Sequence, residues 1–470
     1  MAIENVTINS ITEHPGDATT PASCRITAIS THPPAGDEVR IWVYLPLENW
    51  NGRFQGTGGG GFSGGSEGAL VGPLRQGFAA AATDTGHTGG SGSFALNEDG
   101  SLNWTLIQDN AYLGIHEAAV VGQTLTAEFY GEPAEYRYFN GCSTGGRQGL
   151  MEAQRYPDDY DGVLAGAPAI NWQKLHIAQL WGQLVMLKLG NPVDQCKFQA
   201  VNQAAIAACD DLDGVVDGVI GDPNRCDFDP ETLVGAVTPC GAFTATDAEV
   251  VRKIWQGPQT SDGEFMWYGL EPGAAFNGLN NTGGDPLAGQ PFFITLQWIW
   301  YFITQNPEWD WTTLTQDLFE RLWSQSLEQY GAVIGTDNPD LSSFAERGGK
   351  ILMWHGWNDQ LIYPMGTVDY YTKVVDTAGG TSKSDKHIRL YMAPGVAHCA
   401  GGPGPQPSGM FQALMEWVEN GKEPKDLLAV RTEGGEVVQT RPLCEYPLVA
   451  RYRGHGSTDD ASSFQCKMDY

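Results

Sequence analysis

The chain has 470 residues, with 27 Lys or Arg against 56 Asp or Glu, a formal net charge of −29. At 41% hydrophobic and 18% charged residues it can bury a large core, which excludes a disordered polyelectrolyte. Phosphate binding needs clustered cations, so the charge disfavours nucleic acid and anionic membranes as partners, and no apolar run reaches the roughly 18 residues of a membrane span.

Residues 24–48 alternate apolar and polar side chains and read as strands. A glycine-dense stretch follows at 56–65. GFAAAATDTGH, 77–87, reads as a buried strand ending in a polar loop. Residues 109–131 have helical apolar spacing and end at Gly131. YRYFNG, 136–141, is a strand, residues 146–157 a helix ended by Pro157, and GVLAGAPA, 162–169, the next strand. Strand–helix alternation of this kind implies an α/β fold with a parallel sheet. Residues 170–335 are rich in Trp, Asn, Gln, Asp and Gly and lose this regularity. It returns at KILMWHG, 350–356, and IRLYMAPG, 388–395. The simplest organisation is one α/β domain, 1–169 and 336–470, interrupted by an insertion at 170–335.

Gly141-Cys142-Ser143-Thr144-Gly145 is G-x-S-x-G between an expected strand and an expected helix. In that context the tight turn holds the Ser143 hydroxyl out of the sheet, and the Thr144 amide faces a developing oxyanion. The bland alternative is a βα turn with a structural serine. A second oxyanion donor is expected from the glycine run 58–61, with Gly60 chosen, against the alternative of a flexible loop. A hydrolase triad on this fold runs Ser, acid, His. That order selects Asp359 in WHGWNDQLIYP and His398 in APGVAHCAGG, with His355 and His87 as weaker rivals.

Nine cysteines favour an exported protein, although the count is odd and no CxxC occurs. The opening MAIENVTINS has no basic or apolar leader region. Either the chain is not exported or its signal has been removed, and the cysteine layout favours the second. Cys142 precedes Ser143 and Cys399 follows His398. If they pair, the closed loop is worth about 5 kcal/mol in the chain-entropy model, and two catalytic groups are held at a fixed separation.

Together FNGCSTGGRQ, HGWNDQLIYP and the His398-Cys399 pair resemble the tannase and feruloyl esterase family of α/β hydrolases. WNGRFQGTGGGGF, ATDTGH, GVLAGAPAINW and the terminal cysteines extend the likeness over nearly the whole chain. The resemblance implies an α/β-hydrolase core with a large inserted lid. It implies Ser143 as nucleophile, His398 as base, Asp359 as its orienting acid, and a Cys142–Cys399 bridge. It further implies disulfides Cys209–Cys226 and Cys444–Cys466. Cys240 lacks its usual partner because Gly235 stands where that cysteine might be. Cys196 could substitute, and Cys24 is expected to be unpaired.

Asp210, Asp213 and Asp217 recur in a glycine-containing loop of the insertion. Carboxylates without His or Cys suit calcium, although such runs are usually solvated turns. The resemblance adds a structural calcium ion, with those three side chains and the carbonyls of Val215 and Val219 as ligands.

The insertion carries Trp255, Trp267, Tyr268, Phe276, Phe292, Phe293, Trp298, Trp300, Tyr301 and Phe302. Most are expected in the core and two or three in a pocket for a planar acyl group. No Lys or Arg lies between Lys253 and Arg321, which argues against a clamp for a substrate carboxylate. The expected function is a secreted serine esterase for feruloyl or similar hydroxycinnamoyl esters, free or attached to plant cell-wall carbohydrate. Galloyl esters and mono(2-hydroxyethyl) terephthalate are the alternative substrates. A noncatalytic aromatic- or carbohydrate-binding protein is the alternative of another class.

Overall fold

The computed structural model describes residues 3–425 and 427–468. Nine strands form the main sheet: β1 (Val6–His14), β2 (Ser23–Ser30), β3 (Val39–Pro46), β4 (Arg53–Thr57), β5 (Ala79–Thr83), β6 (Tyr136–Cys142), β7 (Gly162–Gly166), β8 (Lys350–Gly356) and β9 (Ile388–Ala393). Their spatial order is β1-β2-β3-β5-β4-β6-β7-β8-β9.

The expected parallel sheet is present and is extended by an antiparallel edge. From β5 through β4 to β9 the pairs are parallel, but β1, β2, β3 and β5 pair antiparallel. Loop length accounts for the β2–β3 pair. Only eight residues join β2 to β3, too few for the crossover of a dozen or more that a parallel pair needs. β1 itself was not expected. It is an edge strand with Ile8 and Ile11 exposed, so it has no buried face to produce alternation.

Longer crossovers build the parallel half. Helix α1 (Gly114–Tyr130) joins β5 to β6 and packs on β3 and β5, while α2 (Thr144–Arg155) joins β6 to β7 and packs on both. Alternate residues show both faces covered. Val163 and Ala165 of β7, with Ile351 and Met353 of β8, join one cluster with Ile115, Leu150 and Val374. Leu164 and Leu352 point the other way, onto Leu414 and Trp417. A sheet buried on both faces reads as continuous apolar runs, which is why β5, β7 and β9 were legible. Each fully buried Leu, Val or Ile there contributes about 1.5–3 kcal/mol.

Between β7 and β8 the chain lays down α3 (Trp172–Ala178), α4 (Trp181–Leu189), α5 (Gln195–Cys209), α6 (Ala245–Gln256) and α7 (Gln316–Ile334). Their core is one aromatic-rich cluster that includes Trp172, Phe276, Trp298, Phe302 and Tyr330 and continues to Phe62 and Ile362 of the sheet's loops. Helix α8 (Pro364–Ala378) then connects β8 to β9. No helix among the described residues is long and apolar enough to cross a membrane.

Four disulfides are formed: Cys142–Cys399, Cys196–Cys240, Cys209–Cys226 and Cys444–Cys466. Cys196 does take Cys240, and Cys24 is the free thiol.

Candidate active site

Ser143 stands between the end of β6 and the start of α2 with φ 63° and ψ −125°. This left-handed backbone is costly for a residue with a side chain and persists only where neighbours impose it. They do so here. The Ser143 amide donates to Gly166 O at 3.0 Å, and Ser143 O accepts from the amides of Arg147 and Ala169, each at 3.0 Å. The flanking glycines are steric requirements. A Cβ on Gly141 would lie 2.5 Å from the carbonyl carbon of Gly145, and one on Gly145 would lie 3.3 Å from Cα of Gly58.

The glycine run after β4 is tied to this elbow. The Gly145 amide donates to Gly59 O at 3.0 Å, and the Thr144 hydroxyl donates to Gly61 O at 2.7 Å. The Gly59 amide is itself used, donating to the buried Gln148 side chain at 2.9 Å. Gly60 and Thr144 line the cavity in front of Ser143. Thr144 is the first residue of α2, where amides have no partner inside the helix.

His398 enters the same cavity from the loop after β9. Its Nδ1 lies 2.8 Å from Oδ2 of Asp359, on the loop after β8, and its backbone amide donates to the Gln360 side chain at 3.2 Å. Asp359 is completely buried and fully partnered. Oδ1 accepts the amides of Leu361 at 2.8 Å and Ile362 at 2.9 Å, and Oδ2 also meets Nε2 of His355 at 3.0 Å. Burial alone would raise this carboxyl. The charge of His398 and the hydrogen bonds from His355 and His398 overcome that and hold it well below the ordinary carboxylate range. An ionised Asp359 only accepts, so Nδ1 of His398 carries a proton and Nε2 is the ring's other edge. That edge lies 3.7 Å from Cys399 Sγ, which is bonded to Cys142, the residue before Ser143.

The cavity has a volume of about 380 Å³. The sheet's loops contribute Ser143, His398, Leu361 and Ile362, and the β7–β8 insertion contributes Trp172, Leu175, His176, Gln179, Phe292 and Ile294. No Lys, Arg, Asp or Glu lines it among the described residues.

A family model described as "Tannase and feruloyl esterase" matches residues 24–467. The chain belongs to the tannase and feruloyl esterase family. It is a carboxylic ester hydrolase. It is 42% identical over 463 residues to a "Probable feruloyl esterase" of Arthroderma benhamiae, covering 95% of this chain and 86% of the relative. The crystal structure of feruloyl esterase B from Aspergillus oryzae superposes with a TM-score of 0.87 at 29% identity, covering 99% of this chain and 98% of that one. Tannin acyl hydrolase from Aspergillus niger superposes with a TM-score of 0.90 at 27% identity, covering 99% and 92%. Membership removes the noncatalytic alternative.

By sequence His355 is a rival base. It lies instead behind Asp359, wholly buried, with Nδ1 2.8 Å from the Thr367 hydroxyl. His87 lies apart from the cavity wall, its Nε2 donating to Phe62 O at 2.7 Å and its ring stacked on Phe94. Of the ten insertion aromatics singled out, Phe292 lines the cavity, while Trp267, Phe276, Trp298 and Phe302 are core. Trp172 was missed. It opens α3 directly after the AGAPAIN turn, and its closeness in sequence to the end of β7, the strand beside the elbow, was the available signal.

The acidic loop of the insertion folds around Asp210. Its carboxylate accepts the amides of Asp217 at 3.1 Å, Gly218 at 2.9 Å and Val219 at 3.3 Å. Asp213 Oδ1 accepts the Val215 amide at 3.0 Å, and Asp217 Oδ2 is ion-paired with Arg441. Asp217 Oδ1 is buried with no partner. Burial pushes Asp213 up to about 6 and also raises Asp217, with their neighbouring aspartates adding to both. Asp213 and Asp217 share Arg441 as counter-charge, and Asp217 keeps one orphaned oxygen, a donor chemistry that suits a hard cation, while the Asp210 carboxylate is occupied by backbone amides.

Proposed function

We propose that the protein is a secreted serine esterase for hydroxycinnamoyl-type aromatic esters, with Ser143, His398 and Asp359 as its triad. The observation that carries this reading is the shared cavity of a left-handed elbow serine and a histidine held by a buried carboxylate. Ser143 Oγ attacks the ester carbonyl as its proton passes to Nε2 of His398. Asp359 keeps the ring in the required tautomer and stabilises the imidazolium. The amides of Thr144 and Gly60 receive the oxyanion, a contribution of roughly 10²–10³ in kcat per donor in comparable sites. His398 returns its proton to the departing alkoxide, and the acyl group stays on Ser143 until water, deprotonated by His398, releases it.

An acyl ring between Trp172 and Phe292 suits the cavity, and the absence of charged lining residues favours neutral phenolic esters over a terephthalate monoester. In this reading 170–335 is the lid, because it supplies one wall of the cavity. Asp210, Asp213 and Asp217, with the carbonyls of Val215 and Val219, would hold a structural calcium ion that closes the acidic loop. Four disulfides support export to an oxidising compartment. The test is hydrolysis of methyl ferulate, methyl gallate and mono(2-hydroxyethyl) terephthalate side by side. Highest kcat/KM on methyl ferulate supports the assignment, and preference for either of the others replaces it.

A further inference from the structure

A second group of titratable side chains lies away from the catalytic cavity, where the β2–β3 connection meets the start of α1. His32 Nδ1 is 2.6 Å from Asp37 Oδ2 and 3.6 Å from Asp109 Oδ1. The three donor atoms lie within 4.8 Å of one another, and Asp37 and Asp109 are buried. Asp109 is the anomaly. It has no exposed surface, and neither carboxylate oxygen has a hydrogen-bond partner. A buried carboxylate left this way is expensive whether or not it is protonated, because a neutral acid would still have an unpartnered O–H. Asp109 is held there by a π-helical turn, Asp109–Leu113.

We propose that His32, Asp37 and Asp109 bind a divalent transition-metal ion of the zinc class, at a site separate from the acidic loop at 210–219. The donor set is one imidazole nitrogen and two carboxylates, which suits zinc better than calcium or magnesium. The other edge of the ring is prepared for it. His32 Nε2 lies 2.9 Å from Glu117 Oε1, and that same oxygen accepts the Ser30 hydroxyl at 2.7 Å. A ligating histidine usually donates its second N–H to a carboxylate in this way, so that the ion would replace the Nδ1 proton now hydrogen-bonded to Asp37. Zinc ligands at about 2.0–2.1 Å in a tetrahedron stand about 3.3 Å apart. The His32–Asp37 pair would therefore open slightly and the His32–Asp109 pair close slightly. A cavity of about 660 Å³, lined by Asp37, Asp84 and Gly86, adjoins the group and gives room for a water as fourth ligand. The ion would tie the β2–β3 hairpin to the start of α1.

The experiment uses the tag-free full chain, stripped with a chelator and dialysed against micromolar zinc, with bound metal measured by elemental analysis. About one zinc per chain is expected in the wild type. It should be lost in both Asp109→Asn and His32→Gln and retained in His116→Gln, whose imidazole lies 2.6 Å from Asp159 in a separate cluster with Glu152. Cobalt in place of zinc should give visible absorption bands that the two site variants lack. Ester hydrolysis by each variant verifies its folding. If Asp109→Asn does not fold, His32→Gln and Asp37→Asn decide. No bound zinc in the wild type, or a stoichiometry unchanged in the site variants, would overturn the proposal.

Discussion

Cys142 and Cys399 are joined by a disulfide that spans 257 positions, with their Cα atoms 5.9 Å apart. One precedes the elbow serine and the other follows the histidine on Asp359, so the bond sets the spacing of two loops that otherwise meet only through packing. Replacing both cysteines by Ala is expected to cost about 2–5 kcal/mol of stability. It should also lower kcat at least tenfold at temperatures where the variant is folded. Calorimetry and initial rates check the two effects, and full activity in the folded variant would show that packing alone sets the spacing.

Asp359→Asn should leave the fold intact and reduce kcat by about 10⁴, because the amide favours the wrong imidazole tautomer. The pH dependence of stability follows from the depressed carboxyl. Its folded-state value lies below its unfolded value, so its stabilisation is fully present above the ordinary carboxylate range. That stabilisation is lost as pH falls from about 4 through the folded value. The Tm difference between wild type and Asp359→Asn should shrink on acidification below about pH 4, measured by calorimetry from pH 6 to pH 3.

His355 touches Asp359 and not the cavity, so it acts as a positioning residue. His355→Gln removes a hydrogen bond to a charged group, worth about 1.5–3 kcal/mol. Part of that is expected in kcat, as a loss of roughly tenfold or more, with KM within about twofold. The acid limb of the kcat profile should also shift. An unchanged pH profile with only a lower Tm would reduce His355 to a structural role.

Phe292→Ala opens one wall of the cavity. It should lower kcat/KM for methyl ferulate by about tenfold, the effect of losing an aromatic contact of roughly 1–1.5 kcal/mol. A short aliphatic ester should be affected less. Equal losses on both substrates would place the acyl ring elsewhere.

For the acidic loop, chelation should lower Tm and added calcium should restore it, with the shift absent in Asp213→Asn. Protein that contains no calcium as purified and shows no shift on calcium addition would remove the ion from the account.

Much of this was readable from residue order. The strands at 162–166, 350–356 and 388–393 are buried on both faces, so their apolar runs stand out, and G-x-S-x-G is constrained by the sterics of Gly141 and Gly145. Chain order, loop positions after two late strands and the neighbouring Cys399 select Asp359 and His398. What was illegible depends on distant contacts. β1 is an exposed edge, and the antiparallel β2–β3 pair follows from loop length rather than composition. Trp172 looks like any core tryptophan until the cavity forms around it. His355 follows a strand as a catalytic base could, and chain order makes it only a weaker rival; its place behind the carboxylate assigns it to support.

The most direct measurement of the central claim is covalent labelling by a fluorophosphonate, followed by intact mass and peptide mapping. The account predicts one adduct per chain, on Ser143, abolished in Ser143→Ala and strongly slowed in His398→Ala, with ester hydrolysis lost in parallel. An adduct on another residue, or undiminished turnover by folded Ser143→Ala, would contradict it.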